Sequence, residues 1–274
     1  MRKRLTALYR ENPAAVIGGT FALFAIVWGI FMSKQSPYNF PHQFHHTIDS
    51  PILAMELARD SADVSAVTQR DNPAAKHSIK VNTILDCVFI PLYAGYLLFF
   101  ALAYAPRSRL LAPLMVGVGV FDYLENTGMF ISLAGGAPRQ YYPSAIKWTL
   151  LGLAVILIAR LMVKADSGPY SMPTRRLLAL VFGAAGGLML LGISASHYSW
   201  LALGSEIFAA TFVVNAIGLL GPIVAMEGEK LKFVEDFCEQ KKVNPAIAAV
   251  SEIPTTNGGD EEGPRQQKRG NTLG

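Results

Sequence analysis

Charge is what this chain has least of. Asp, Glu, Lys and Arg make up 16% of 274 residues, against 51% hydrophobic residues and a mean hydropathy of +0.32. Soluble domains carry about a quarter charged residues, so this balance excludes an average water-soluble fold. Cysteine is also nearly missing: Cys87 lies in an apolar stretch and Cys238 in a polar tail. The two belong on different sides of a hydrophobic layer, which excludes a disulfide framework. The chain has no Walker loop, dinucleotide fingerprint, H-E-x-x-H helix or basic stripe interleaved with aromatics, so nothing marks a nucleotide enzyme or a nucleic-acid partner. The net charge of +4 gathers at the ends of apolar stretches, where it governs orientation in a bilayer.

Apolar length fills that gap. Six stretches, 14–32, 81–105, 110–133, 144–163, 177–198 and 201–226, each run to roughly 20 residues or more, enough for a helix to cross about 30 Å of hydrocarbon. The expectation is an all-α polytopic membrane protein, a six-transmembrane-helix bundle surrounded by lipid. A cleaved signal peptide is the rival reading of the first stretch, but its run is long and no Ala-x-Ala-like site follows Met32.

Basic residues set the orientation, because Lys and Arg resist translocation. Arg2, Lys3, Arg4 and Arg10 precede the first stretch, Arg107 and Arg109 follow the second, Lys164, Arg175 and Arg176 follow the fourth, and Lys230, Lys232, Lys241 and Lys242 follow the sixth. Six crossings put all of these, and both termini, in the cytoplasm. The compact connections fit a bacterial plasma membrane, with an organellar inner membrane as the alternative.

The organisation that follows is a basic cytoplasmic N-terminus (1–13), a first transmembrane helix (14–32), an extracytoplasmic loop (33–80), a five-helix membrane bundle (81–226), a cytoplasmic amphipathic helix (227–244) and a disordered tail (245–274) rich in Gly, Pro, Thr, Gln and charge. The outer loop is too long to be an idle connection. Asp49-Ser50-Pro51 reads as a helix start, a capping side chain followed by Pro in the first turn. Leu53, Leu57, Val64 and Val67 then line one face of one helix, or of two short ones broken near Asp60-Ser61, leaving Glu56, Arg59 and Asp63 more exposed. Gly183 and Gly187 give a small-xxx-small face for close helix approach.

Ionisable residues inside apolar stretches mark the candidate site, since charge there is expensive. Asn82, Asp86 and Tyr93 fall along one helical stripe, with Pro91 releasing the Cys87 carbonyl from its helical bond beside the acid. Asp122, Glu125 and Asn126 form a D-x-x-E-N pattern on neighbouring turns of one face. At 1.5 Å per residue from the outer ends, Lys147 lies roughly 5 Å deep, Asp86 and Glu206 roughly 8 Å, Glu125 roughly 12 Å and Asp122 roughly 16 Å. These side chains can meet in the outer half of one bundle as a ligand-binding or proton-relay group, with Lys147 as the internal cation. Competing readings are that the polar groups only lock helices together and that Lys147 snorkels to the interface. His42, His45, His46 and Asp49 form a second, metal-type set, with His77 and His197 on the same outer side; isolated surface histidines are the plainer account. The run Ser194-Ala195-Ser196-His197 gathers hydroxyls and an imidazole at one helix end and lacks the separate-helix layout of a serine nucleophile.

Three functions remain open. One is a membrane protein whose outward-facing polar pocket binds a small or lipid-like ligand, with protonation as a coupled event. The others are an accessory or assembly subunit with membrane-protein partners, and an intramembrane metal-assisted hydrolase or transferase. No residue pattern assigns a cofactor or decides whether the protein is an enzyme.

Overall fold

A computed structural model describes residues 12–34, 50–106, 108, 110–166, 168–218 and 220. The basic N-terminus before residue 12, His42, His45, His46, Asp49, Cys238, the 227–244 helix, the 245–274 tail and the far end of the sixth stretch lie outside the described residues. Within them the chain is all-helical: α1 (Pro13–Ser33), α2 (Pro51–Glu56), α3 (Ser61–Val67), α4 (Pro73–Leu102), α5 (Leu111–Leu133), α6 (Tyr141–Lys164), α7 (Met172–Ser194) and α8 (Tyr198–Gly218). Five of these, α1, α4, α6, α7 and α8, are long and apolar enough to cross a membrane, which makes the chain a multi-pass integral membrane protein in a lipid environment.

Capping chemistry starts the first four helices. Asn12, Ser50, Asp60 and Asn72 each accept a backbone N–H of the following first turn, and Pro13, Pro51 and Pro73 occupy the first helical turn of α1, α2 and α4. The outer segment is therefore two short helices broken at Asp60. Leu53, Leu57, Val64 and Val67 are all buried, as the pattern predicts. α4 starts at Pro73, eight residues before the expected boundary at 81, because Asn72-Pro73 nucleates it ahead of the apolar run. Its 30 residues span about 45 Å, more than a hydrocarbon core, and the surplus first turns carry the exposed His77 and Lys80.

Helices α4 to α8 close a ring. α5, α6 and α7 each pack on the helix before, and α8 returns to α4. There the Asn215 amide donates to Tyr96 Oη at 2.8 Å, and the Phe212 ring lies 4.5 Å from that of Tyr96. α1 runs antiparallel along the outside of α4 through Ala15, Gly18, Ala22 and Ala25, with Trp28 Nε1 donating to the Leu85 carbonyl at 2.8 Å.

The ring buries its polar residues among apolar ones and shows lipophilic side chains outward. In α5 the buried stripe includes Asp122, Glu125, Asn126 and Ser132, while Val116, Val120, Leu124 and Ile131 point outward. In α6, Lys147 shares the inward stripe with Ser144, Leu151, Val155 and Ile158, and Leu153, Ile156 and Val163 face out. The expected small-residue contact is shifted by one residue in register. A side chain on Gly187 would meet nothing within 4 Å and one on Gly183 only Ala159 at 3.9 Å, whereas one on Gly186 would meet the Gly152 carbonyl oxygen at 2.6 Å. The α6–α7 crossing therefore uses Gly186 against Gly152, backbone to backbone. Gly186→Val should destabilise the purified protein by about 1–3 kcal/mol through overpacking, while Gly187→Val should fall within about 0.5 kcal/mol of wild type. Thermal unfolding in detergent checks both, and equal losses would contradict the assigned register.

Candidate functional site

Lys147 enters the ring from the second turn of α6 with nowhere polar to go except inward. Its ammonium donates to Glu125 Oε1 at 2.8 Å, Glu56 Oε2 at 3.1 Å and Asp122 Oδ1 at 3.2 Å. The residue is 4% exposed, so the snorkelling expectation is corrected: Lys147 turns away from the interface. Two facts close the apparent gap in depth between lysine and acids. α6 begins at Tyr141, three residues before the expected boundary, and the four-carbon stem of Lys147 reaches further inward.

Two of the acids also have a neutral partner each. Tyr93 Oη donates to Asp122 Oδ2, and Asn126 Nδ2 donates to Asp86 Oδ2 at 2.9 Å. Pro91 has the predicted effect on the backbone, and the Cys87 carbonyl is taken up by Tyr123 Oη at 2.9 Å. Asn82 is buried and donates to the Ser78 carbonyl of its own helix at 3.1 Å. Of the candidates read from the sequence, Asp86, Tyr93, Asp122, Glu125, Asn126 and Lys147 are thus brought together. Glu206 is not bonded into the group; it is exposed on α8 and lines an outer cavity instead. Depth alone had suggested convergence, but the rotation of α8 turns Glu206 away. His77 is exposed at the start of α4, and His197 is exposed and stacks on Trp200 with ring centroids 4.8 Å apart. Among the described residues no group of three His, Cys, Asp or Glu side chains is arranged to hold a metal ion.

Glu56, like Glu206, is placed otherwise than its sequence suggests. It was expected on the exposed face of the outer helix; it is 7% exposed, bonds to Lys147, and accepts from Trp148 Nε1 at 3.0 Å. The available signal was composition: in Pro-Ile-Leu-Ala-Met-Glu-Leu-Ala a single acid stands in an otherwise apolar run, and residues 53–58 are buried on every side. Trp148 was also missed. Its ring lies 4.8 Å from the Lys147 ammonium, in cation–π range, while its N–H bonds to the same Glu56 oxygen as that ammonium.

Two devices hold α2 at this depth. Gln140 is fully buried and donates from Nε2 to the Met55 and Ala58 carbonyls at 3.2 and 3.3 Å, at the C-terminal end of α2. Its Oε1 accepts from Ser132 Oγ at 2.8 Å. Gly128 permits this, since a side chain there would stand 2.7 Å from the Gln140 backbone nitrogen. Outside, the Arg59 guanidinium donates to Tyr198 Oη at 2.6 Å and Tyr141 Oη at 3.0 Å, and lies over the Tyr141 ring at 4.6 Å.

A cavity of about 260 Å³ opens beside the ion cluster between α4, α5, α6 and α8. Its floor is Glu56, Asp86, Asp122 and Lys147, and its walls are aromatic and aliphatic, with Phe89, Phe208, Phe212 and Leu151 prominent. An outer cavity of about 490 Å³, rimmed by Ser50, Ser199 and Glu206, shares Glu56, Trp148 and Ser205 with it as a common wall. The arrangement can bind a molecule with one polar end and an apolar body, and it can pass a proton along hydrogen-bonded acids, Tyr93 and Lys147.

No protein-family model, curated protein or solved structure matches the chain.

Replacing Lys147 by Met removes the cation that, among the described residues, is bonded to three buried carboxylates. The loss should be about 3–5 kcal/mol, the range for a buried ion pair stripped of one partner. Adding Glu125→Gln to Lys147→Met should recover part of it, because one uncompensated charge goes as well. Thermal or chaotrope unfolding of the single and double variants measures the coupling; strictly additive losses would show that the lysine and the glutamate do not act as a unit.

Proposed function

We propose that the protein is a six-span membrane protein whose pocket, set in the outer half of the bundle, binds a small amphipathic or lipid-like ligand, with proton movement among the cluster acids accompanying occupancy. The observation that carries this reading is the 260 Å³ cavity with Asp86, Asp122, Glu56 and Lys147 at its floor and apolar walls above them. Polar groups that served only as glue between helices would be closed over by packing; here four ionisable side chains border open space. The sixth crossing is α5. Its acids lower its hydropathy, yet they all face the ring, and its outward face of Val116, Val120, Leu124 and Ile131 suits lipid.

Six crossings leave both termini in the cytoplasm and the 33–49 segment outside. A cysteine placed in that segment and one placed in the 245–274 tail, each in protein lacking Cys87 and Cys238, should react with a membrane-impermeant maleimide from opposite sides of sealed vesicles. Labelling from the same side would reject α5 as a span.

Pocket occupancy is read from Trp148, which borders the cavity, in a Trp28→Phe/Trp200→Phe background that leaves it as the single indole. 1-Octanol should change its emission saturably. Ala209→Phe, which fills the cavity from α8, should weaken that response at least about tenfold without lowering the unfolding temperature. A linear, unsaturable response in both proteins would reject the pocket.

A further inference from the structure

Charge and hydrogen-bonding capacity both point to what kind of head group the cavity accepts. Four carboxylates, Glu56, Asp86, Asp122 and Glu125, surround a single ammonium, and Lys147 already divides its three N–H bonds among Glu56, Asp122 and Glu125. Asp86, which borders the cavity, receives only the Asn126 amide among the described bonds. Independently of charge, Glu125 Oε2 and Asn126 Oδ1, on buried residues of the same ion cluster that stand behind the cavity lining, have no hydrogen-bond partner among the described residues. Both are acceptors. The cluster therefore has four carboxylates to one described ammonium, and at the cavity itself Asp86 is the acid with the fewest partners; a head group that brings both charge and donors to it is an ammonium. The walls agree, since Phe89, Phe208, Phe212 and Trp148 present aromatic rings around the same space, and aromatic rings attract cations as well as apolar chains.

An anionic ligand fits badly. A carboxylate or phosphate head would add to a surplus of negative charge in a low dielectric, where Lys147 has no N–H left to offer it. A neutral alcohol supplies one donor and leaves the charge as it was.

From this we infer that the ligand is a lipophilic amine: a protonated primary, secondary or tertiary ammonium head against Asp86 at the cavity floor, with its apolar body along Phe89, Phe208 and Phe212. This rests on the pocket reading above and names its ligand class. Glu206 and Ser199 at the rim of the outer cavity give the cationic head polar contacts on its way in, and the shared wall of Glu56, Trp148 and Ser205 is the boundary it crosses.

The test compares n-octylamine, 1-octanol and octanoate, equal in chain length and different in head, against full-length protein carrying Trp148 as its single indole, in a non-ionic detergent at neutral pH. The expected result is saturable binding of all but octanoate, with octylamine at least about tenfold tighter than octanol. Asp86→Asn should bring the affinities for octylamine and octanol within about threefold of each other. Octanol or octanoate binding as tightly as octylamine in the unsubstituted pocket overturns the amine assignment and leaves the pocket standing. No saturable response to any of the three removes the pocket and the assignment together. The three-probe comparison needs no substitution at Asp86. Should Asp86→Asn unfold, octyltrimethylammonium replaces it: this permanent cation has no N–H, and binding no tighter than octanol would show that charge does not select the ligand.

Discussion

One ammonium holds this molecule's centre. Lys147 is the point where α6, α5 and the outer helix α2 meet, and it is bonded to a carboxylate from each of the two partner elements, with a second from α5. A buried charge is tolerable only with good partners, so the position of each of these elements is fixed by the others. Gln140 sets the depth of α2, Gly128 lets Gln140 approach α5, and Arg59 ties the outer edge to α6 and α8. What looks like a set of local contacts is one constraint expressed at several places.

The same constraint explains why charged side chains stand inside the ring. Lipid accepts apolar surface freely, and the exposed face of α6 within the apolar run carries Ile146, Leu153 and Ile156. Polar atoms must find each other within the ring. They do so at two levels: the ion cluster, and a neutral set in which Tyr170 donates to Asn215, Asn215 to Tyr96, and Tyr96 meets Thr211. The neutral set closes α8 onto α4 without bringing in charge. The charged set stands beside the cavity.

Much of this was legible from residues alone, for identifiable reasons. Helix starts at Ser50-Pro51 followed from capping chemistry, and the meeting of Asp122, Glu125 and Asn126 followed from their spacing on one face. Burial of Leu53, Leu57, Val64 and Val67 followed from periodicity. The failures share a cause. Glu56 and Glu206 are read by polarity or distance from a helix end, whereas their placement depends on which way each helix is rotated, and rotation is set by packing between helices far apart in sequence. The shift from Gly187 to Gly186 is the same error by a single residue. Hydropathy also hid the start of α4, where Asn72-Pro73 carried the signal that the apolar run did not.

Glu56 precedes its lysine by 91 positions and sits on a helix outside the long apolar segments. Because synthesis runs from the amino terminus, the α5 acids and Glu56 are all made before their cation exists, and α8, which supplies Phe208 and Phe212, is made later still. The residues of the centre are therefore synthesised in order, Glu56 and the acids of α4 and α5 first, Lys147 next and the aromatic wall of α8 last. A nascent protein halted before its seventh helix would contain the whole ion cluster and lack the chamber beside it.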